Sequence, residues 1–383
     1  MTITTPQGFR ASGVTAGLKA SGTSDVALVV NDGPSDVAAC VYTANRCKAN
    51  PVLWSEQVTA DGRAKAVVLN SGGANCYTGP EGFRTTHASA EQVAERLGAG
   101  AIDVVVCSTG LIGDQLDSDK LTAGIERAAD TLSVDGGTAA AEAIMTTDTR
   151  TKESLRSGDG WSVGGMAKGA GMLAPAMATM LVVITTDAQL DSAAADRALR
   201  AATRVTFDRL DSDGCMSTND TVLLMASGAS GAAPDEAEFT ARLTEVCHDL
   251  AQQLLSDAEG ADHDIAIEVV HAASSGDAVE VGRSIARSNL FKTAVYGKDP
   301  NWGRILASVG TTGAVFEPGE LDVAMNGVWI CRGGEPGDSR DLVDLGERAV
   351  SVTVDLKAGT ETATIWTNDL THAYVHENSA YST

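Results

Sequence analysis

The chain has 383 residues, enough for one large or two medium domains with substantial cores, and 43 % of them are hydrophobic. Its 28 Lys and Arg stand against 51 Asp and Glu, a formal charge of −23, which argues against a nucleic-acid or anionic-membrane partner. Any site for a carboxylate substrate must then supply its own local cation. No apolar run approaches the length of a membrane span, and the opening residues MTITTPQGFRAS lack the basic and apolar regions of a secretory signal.

Short apolar runs at residues 26–30, 66–69 and 102–107 close on Asn or Ser, as buried strands do. Helical patterns follow several of them, from His87, from Ser118 (read as an N-cap) and from Asp191. In the clearest helix Phe239, Leu243, Val246, Leu250 and Leu254 recur at steps of three and four and share one face; Gly260 is the expected C-terminal stop. Three strands follow near the C-terminus, the first folded into a hairpin over Asn326-Gly327. The expected fold class is mixed α and β with more than one sheet, without linker, low-complexity segment or repeat.

The cysteines, at 40, 47, 76, 107, 215, 247 and 331, are odd in number and form no CxxC pair, so neither a disulfide framework nor a zinc site is indicated. His372 and His376 have the i,i+4 spacing of a metal-binding helix, but their neighbours favour strand or coil, and no metal is expected there. A reduced, cytoplasmic protein is the expectation. Gly169-Ala-Gly171-Met-Leu-Ala174 matches a dinucleotide fingerprint formally, yet Pro175 and a strand-like run follow it, which is the wrong context.

Two strings carry chemistry. In CSTGLIG (residues 107–113), at the end of a strand, the Thr109 hydroxyl and the Gly110 N–H can point at one spot, as an oxyanion hole requires; a tight turn is the alternative. In KGAGMLAPAMATMLVVITTD (residues 168–187), a glycine-rich, almost uncharged loop leads to Ala178-Thr179 and then to a buried strand. A threonine there is ordinarily a β-former. Cut between Ala178 and Thr179, it becomes a nucleophile carrying its own base, because an α-amine with a pKa of about 7.7–8.0 is partly neutral near pH 7.

VGGMAKGAGMLAPAMATML (residues 163–181) resembles the cleavage signature of the bifunctional ornithine acetyltransferases of arginine biosynthesis. VVLNSGGAN, CSTGLIG, AIMTTDT, TFDRLDSDGCMSTNDTV, DPNWGR and ENSAYST extend the resemblance along the chain in family order. It implies an αββα sandwich of two sheets between helix layers, of the N-terminal-nucleophile kind. It also implies self-cleavage into fragments 1–178 and 179–383, assembled as an α2β2 heterotetramer. The implied reaction is acetyl transfer from N2-acetyl-L-ornithine to L-glutamate, with Thr179 as nucleophile, Thr109 and Gly110 as oxyanion hole, and no cofactor, although acetyl-CoA is a further candidate donor. Implied substrate positions are Thr146, Lys168, Thr179, Glu259, Asn378 and Thr383. Lys168 would supply the cation for a substrate carboxylate, and Glu259 would meet the ornithine amine. One departure stands out: the family continues Glu-Gly with Thr-Lys, whereas this chain reads AEGADHD, so the charge around Glu259 differs. The competing readings are an autoprocessed amidohydrolase or aminopeptidase, in which water resolves the acyl-enzyme, and a non-catalytic amino-acid-binding protein.

Overall fold

The computed structural model describes residues 3–171 and 180–380. In chain order its elements begin with β1 (Phe9–Val14), β2 (Val26–Asn31), β3 (Val37–Tyr42), α1 (Asn50–Val58), β4 (Ala66–Asn70), α2 (Gly79–Leu97) and β5 (Val104–Ser108). Next come α3 (Ser118–Asp130), α4 (Gly137–Ala143), β6 (Lys152–Ser157), β7 (Ser162–Lys168), β8 (Leu181–Thr186), α5 (Ser192–Val205), β9 (Thr221–Ala226) and α6 (Glu236–Ser256). The chain continues through β10 (Asp264–Ala272), α7 (Ser275–Ala286), α8 (Asn289–Tyr296), α9 (Trp302–Val309), β11 (Asp322–Met325) and β12 (Val328–Arg332). It closes with β13 (Glu335–Pro336), β14 (Ala349–Asp355), β15 (Glu361–Asn368) and α10 (His372–Ala380).

Among the described residues the strands form three sheets. The first runs β1-β2-β4-β5, antiparallel except for the β4/β5 pair. The second runs β3-β9-β8-β7-β6, with β8 and β9 parallel. Strands buried on both faces read as continuous apolar runs, and β2, β4, β5, β8 and β9 are buried at every position. One core joins the two sheets, with Val29, Val67 and Leu69 meeting Met166, Leu181, Val183 and Leu223. Helices α1, α2 and α3 cover the outer side of the first sheet, and α5 and α6 cover that of the second, where Val163, Val182 and Ile184 pack with Leu243, Val246 and Leu250. The four layers are the expected αββα sandwich.

A third sheet, β13-β12-β11-β14-β10-β15, lies beyond that sandwich and builds its own core with α7, α8 and α9. Strand β15 fastens it to the rest: Asp211 donates its amide to Trp366 O, and Asn368 Nδ2 donates to Leu255 O at the end of α6. No described helix is long and apolar enough to cross a membrane.

Several boundaries differ from the sequence reading for local reasons. Helix α2 starts at Gly79, eight residues before His87, because Pro80 sits in its first turn, where a missing N–H costs nothing. Asp117, not Ser118, caps α3 by accepting the Lys120 amide. Residues 101–103 form a 3-10 turn before β5. Helix α6 stops at Ser256, and Gly260 lies beyond its cap. The HAYVHE segment is helical rather than strand or coil, and Ala373 and Tyr374 in its first turn lie against Gly260. The Asn326-Gly327 hairpin is as read, with φ of 46° and 80°.

The α6 face shows how strongly periodicity binds this fold: Phe239, Leu243, Val246, Leu250 and Leu254 are all essentially inaccessible. Leu250→Ala should lower stability by about 2–5 kcal/mol. Chemical denaturation would measure it, and a loss under about 1 kcal/mol would mean that α6 does not close the second sheet as described.

Candidate active site

The site grows from the ends of strands in both sandwich sheets. Beyond β5, Thr109 donates its amide to Asn70 O and its carbonyl accepts from Gly73, which ties it to the loop after β4. Gly110 follows with φ of +131°, and a Cβ on it would stand 2.8 Å from Gly73 N. Only glycine fits both the conformation and the approach. Its own N–H has no acceptor among the described residues. Lys168, the last residue of β7, donates to Thr109 Oγ1 at 3.2 Å, which leaves the hydroxyl hydrogen of Thr109 for another acceptor.

The register of the second sheet pairs Lys168 with Leu181, and Leu181 with Thr221. Asp220, just before Thr221, accepts the Met180 amide at 2.9 Å. Ala178, Thr179 and Thr383 lie outside the described residues, but Met180 is bonded directly to Thr179. Asn219 clamps the two sheets by donating to Ala74 O at 2.6 Å and Ser108 O at 2.8 Å. A small void at Thr109 and Gly110 is closed by Ser217, Thr218 and Asn219. A larger cavity of about 330 Å³ opens from Gly110 and is lined by Thr146, Ser71, Gly72, Leu18 and Lys19.

A buried charge cluster fixes Thr146 at this cavity. Lys152, wholly buried, donates to Asp148 and to Asp257, each at 2.6 Å. Asp148 also accepts the amides of Gly169, at 2.6 Å, and Thr146, at 3.0 Å. Asp257 in turn receives the Thr149 amide and hydroxyl. Burial alone would raise the Asp148 carboxyl, but the charges of Lys168 and Lys152 and the hydrogen bonds overcome it and hold it at about 2. Burial pulls the Lys168 ammonium below its ordinary range, against the attraction of Asp148, Asp220 and Glu259. Burial likewise pushes Asp220 well above the usual carboxylate range, and its Oδ2 has no partner among the described residues.

Glu259 reaches the site from the segment after α6. Its amide donates to Ala170 O, and its carboxylate lies against Gly171. Tyr374 of α10 shares that region: burial, followed by the charges of Asp213 and Glu259, pushes its phenol up to about 12. Asn378 is exposed on α10, where its amide donates to Tyr374 O. Of the expected residues, Thr109, Gly110, Thr146 and Lys168 are brought together, Glu259 sits against the loop that follows Lys168, and Asn378 stays on the surface. Among the described residues no group of three metal-ligating side chains converges.

Sequence reasoning passed over Asp148, Lys152, Asp257, Asn219 and Asp220. All lie inside or beside strings already singled out, AIMTTDT and CMSTNDTV for example, but nothing in a string says which polar residues are buried.

Removing one member of the cluster tests its energetics. Lys152→Ala leaves two buried carboxylates uncompensated and should cost about 3–5 kcal/mol. The folded Asp148 carboxyl at about 2 lies below its unfolded value of about 3.9. Its contribution is therefore complete above about pH 4 and is lost as pH falls through about 2. Asp148→Asn should flatten the acid limb of stability between those values, by an amount on the order of 2 kcal/mol. An unchanged acid limb in a pH series of denaturation curves would refute the paired state of Asp148.

With this geometry in place, likeness to known proteins becomes specific. The ArgJ family model matches residues 10–383. The arginine biosynthesis bifunctional protein ArgJ of Streptomyces avermitilis is 65 % identical over 382 residues, spanning 100 % of both chains. The protein of the same name from Mycobacterium leprae is 53 % identical over 388 residues, covering 99 % of this chain and 95 % of its own. Among solved structures, a chain of ornithine acetyltransferase complexed with ornithine from Mycobacterium tuberculosis is 54 % identical, with a TM-score of 0.45, covering 47 % of this chain and 96 % of that one. A chain of the arginine biosynthesis bifunctional protein from Bacillus halodurans is 38 % identical, with a TM-score of 0.49, covering 51 % and 97 %. The full-length match and the high identities have one meaning: this chain belongs to the ArgJ family.

Proposed function

We propose that the chain cuts itself between Ala178 and Thr179 and then transfers the acetyl group of N2-acetyl-L-ornithine to L-glutamate through an ester on Thr179. The observation that carries this reading is the meeting of Thr109, Gly110, Lys168 and the Met180 amide at the ends of β5, β7 and β8. It is supported by the bifunctional arginine-biosynthesis proteins among the relatives and by the ornithine acetyltransferase crystallised with ornithine.

In this mechanism Thr179 Oγ attacks the acetyl carbonyl while its α-amine takes the proton. The Thr109 hydroxyl and the Gly110 N–H stabilise the developing oxyanion. The amide C–N bond breaks, ornithine leaves as its amine after accepting the proton, and acetyl remains as an ester. The glutamate amine then attacks that ester, yielding N-acetyl-L-glutamate and restoring the hydroxyl. Thr146 and Lys168 orient the substrate carboxylates, Glu259 meets the ornithine ammonium, and Asn378 and Thr383 are the remaining proposed substrate-binding positions. The functional units are fragments 1–178 and 179–383, in one intertwined fold and an α2β2 assembly in the cytoplasm. No cofactor takes part; acetyl-CoA is a second donor to be assayed.

Sequencing of the purified protein should find a second N-terminus at Thr179, and Thr179→Ala should leave one uncut, inactive chain. Mixing enzyme with acetylornithine alone should release ornithine in a burst equal to the enzyme concentration and acetylate only fragment 179–383. Thr109→Ala should lower kcat by about 10²–10³ with little change in KM. Fully active protein carrying only its original N-terminus would sink the cleavage proposal. Steady acetate release that glutamate neither diverts nor accelerates would make the protein a hydrolase.

A further inference from the structure

One cavity lies apart from the candidate active site and shares no lining residue with the cavities at Gly110. It has a volume of about 590 Å³ and runs along α7, from its first turn to Arg287, against the end of α5, the turn after it and the residues after α9. Four arginines line it, Arg204, Arg209, Arg283 and Arg287, with Asp208 and Glu280 the acids among them. In a chain with 28 basic and 51 acidic residues, such a concentration of guanidinium groups runs against the composition.

Local partners do not consume these cations. Arg287 pairs with Asp211 at 2.8 Å, whereas Arg204, Arg209 and Arg283 form no ion pair among the described residues. Arg209 spends Nε on Arg204 O, and Arg283 spends one Nη on Asp208 O. Arg209 Nη1 and Arg283 Nε are buried with no acceptor among the described residues, and Arg209 as a residue is only 9 % exposed. Glu280 is engaged by the Gly313 amide. Burial, and then repulsion from Arg283, lowers the proton affinity of Arg209, with the charge of Asp208 acting against them. A buried donor without an acceptor costs about 1–3 kcal/mol, more when charged.

We propose that this cavity is a binding site for the phosphoryl group of a small phosphorylated metabolite. Guanidinium forks match phosphate oxygens two at a time, and the α7 first turn, with Ser275 and Gly276 on the cavity wall, adds the amide end of a helix dipole. Ser284, Thr311 and Thr312 line the remaining wall and offer hydroxyl donors. The site is independent of the proposed acetyl transfer.

Inorganic pyrophosphate is the probe. Titrated into the full-length protein at constant ionic strength, it should bind saturably at one site per chain and raise the melting temperature as it does so. Arg209→Gln combined with Arg283→Gln should weaken that binding by about tenfold or more. Arg204→Gln, at the exposed rim, should weaken it less, and it keeps the test open if the double variant fails to fold. Acetyl transfer without pyrophosphate should be unchanged in all variants. Absence of saturable binding to the wild-type protein, or equal affinity in the variants, would overturn the proposal. So would glutamate binding that the same substitutions abolish while pyrophosphate fails to bind.

Discussion

The buried ammonium of Lys152, held between Asp148 and Asp257, is the interaction on which the site depends. These three residues come from the loop after α4, from the start of β6 and from the end of α6, so one cation ties three separate parts of the sandwich. An ion pair removed from water returns its desolvation cost only if every remaining lone pair is used. Here the amides of Thr146, Thr149 and Gly169 complete the carboxylates. The same amides belong to the segments that carry Thr146 and follow Lys168, so satisfying the charges also sets the positions of those side chains.

Charge is distributed in this molecule by burial. Acidic residues dominate the composition, yet the wholly buried long polar side chains are Lys152 and Lys168. A third buried lysine, Lys292 of α8, donates to Ser212 O in the segment that leads to Asn219 and Asp220. Such a pattern places local positive charge where an anionic substrate would otherwise be repelled by the net field. Asp220 is the counterpart on the acidic side: its burial disfavours the charged form, and its hydrogen bond from the Met180 amide ties the residue before β8 to the residue before β9.

The third sheet adds a layer of control over geometry. Its β15 reaches the sandwich through Trp366 and Asn368, and α10, which follows β15, packs on Gly260 beside Glu259. Gly260 has φ of +63°, and any Cβ there would come within 2.2 Å of Tyr374 N. Ala261-Asp262, which stand where the family resemblance would have Thr-Lys, directly follow the glycine on which the C-terminal helix sits, so the altered charge lies beside the contact of α10 with the Glu259 turn.

The sequence by itself determined the local elements wherever one physical term dominated. The apolar runs of β2, β4 and β5, the α6 face from Phe239 to Leu254 and the Asn326-Gly327 turn are visible because burial and backbone conformation each leave a mark within a few residues. Thr109, Gly110 and Lys168 were legible as candidates through the strings that hold them. Helix ends were read less well, since a proline or an aspartate one residue away can move a cap, as at Gly79 and Asp117. What only the tertiary structure decided is which polar residues meet. Lys152 and Asp257 stand 105 positions apart, Lys168 and Thr109 59, and Asn219 and Ser108 111. Burial turns ordinary Asp, Lys and Asn residues into partners that must find one another, and no spacing along the chain records that requirement, because it arises when sheet packing excludes water.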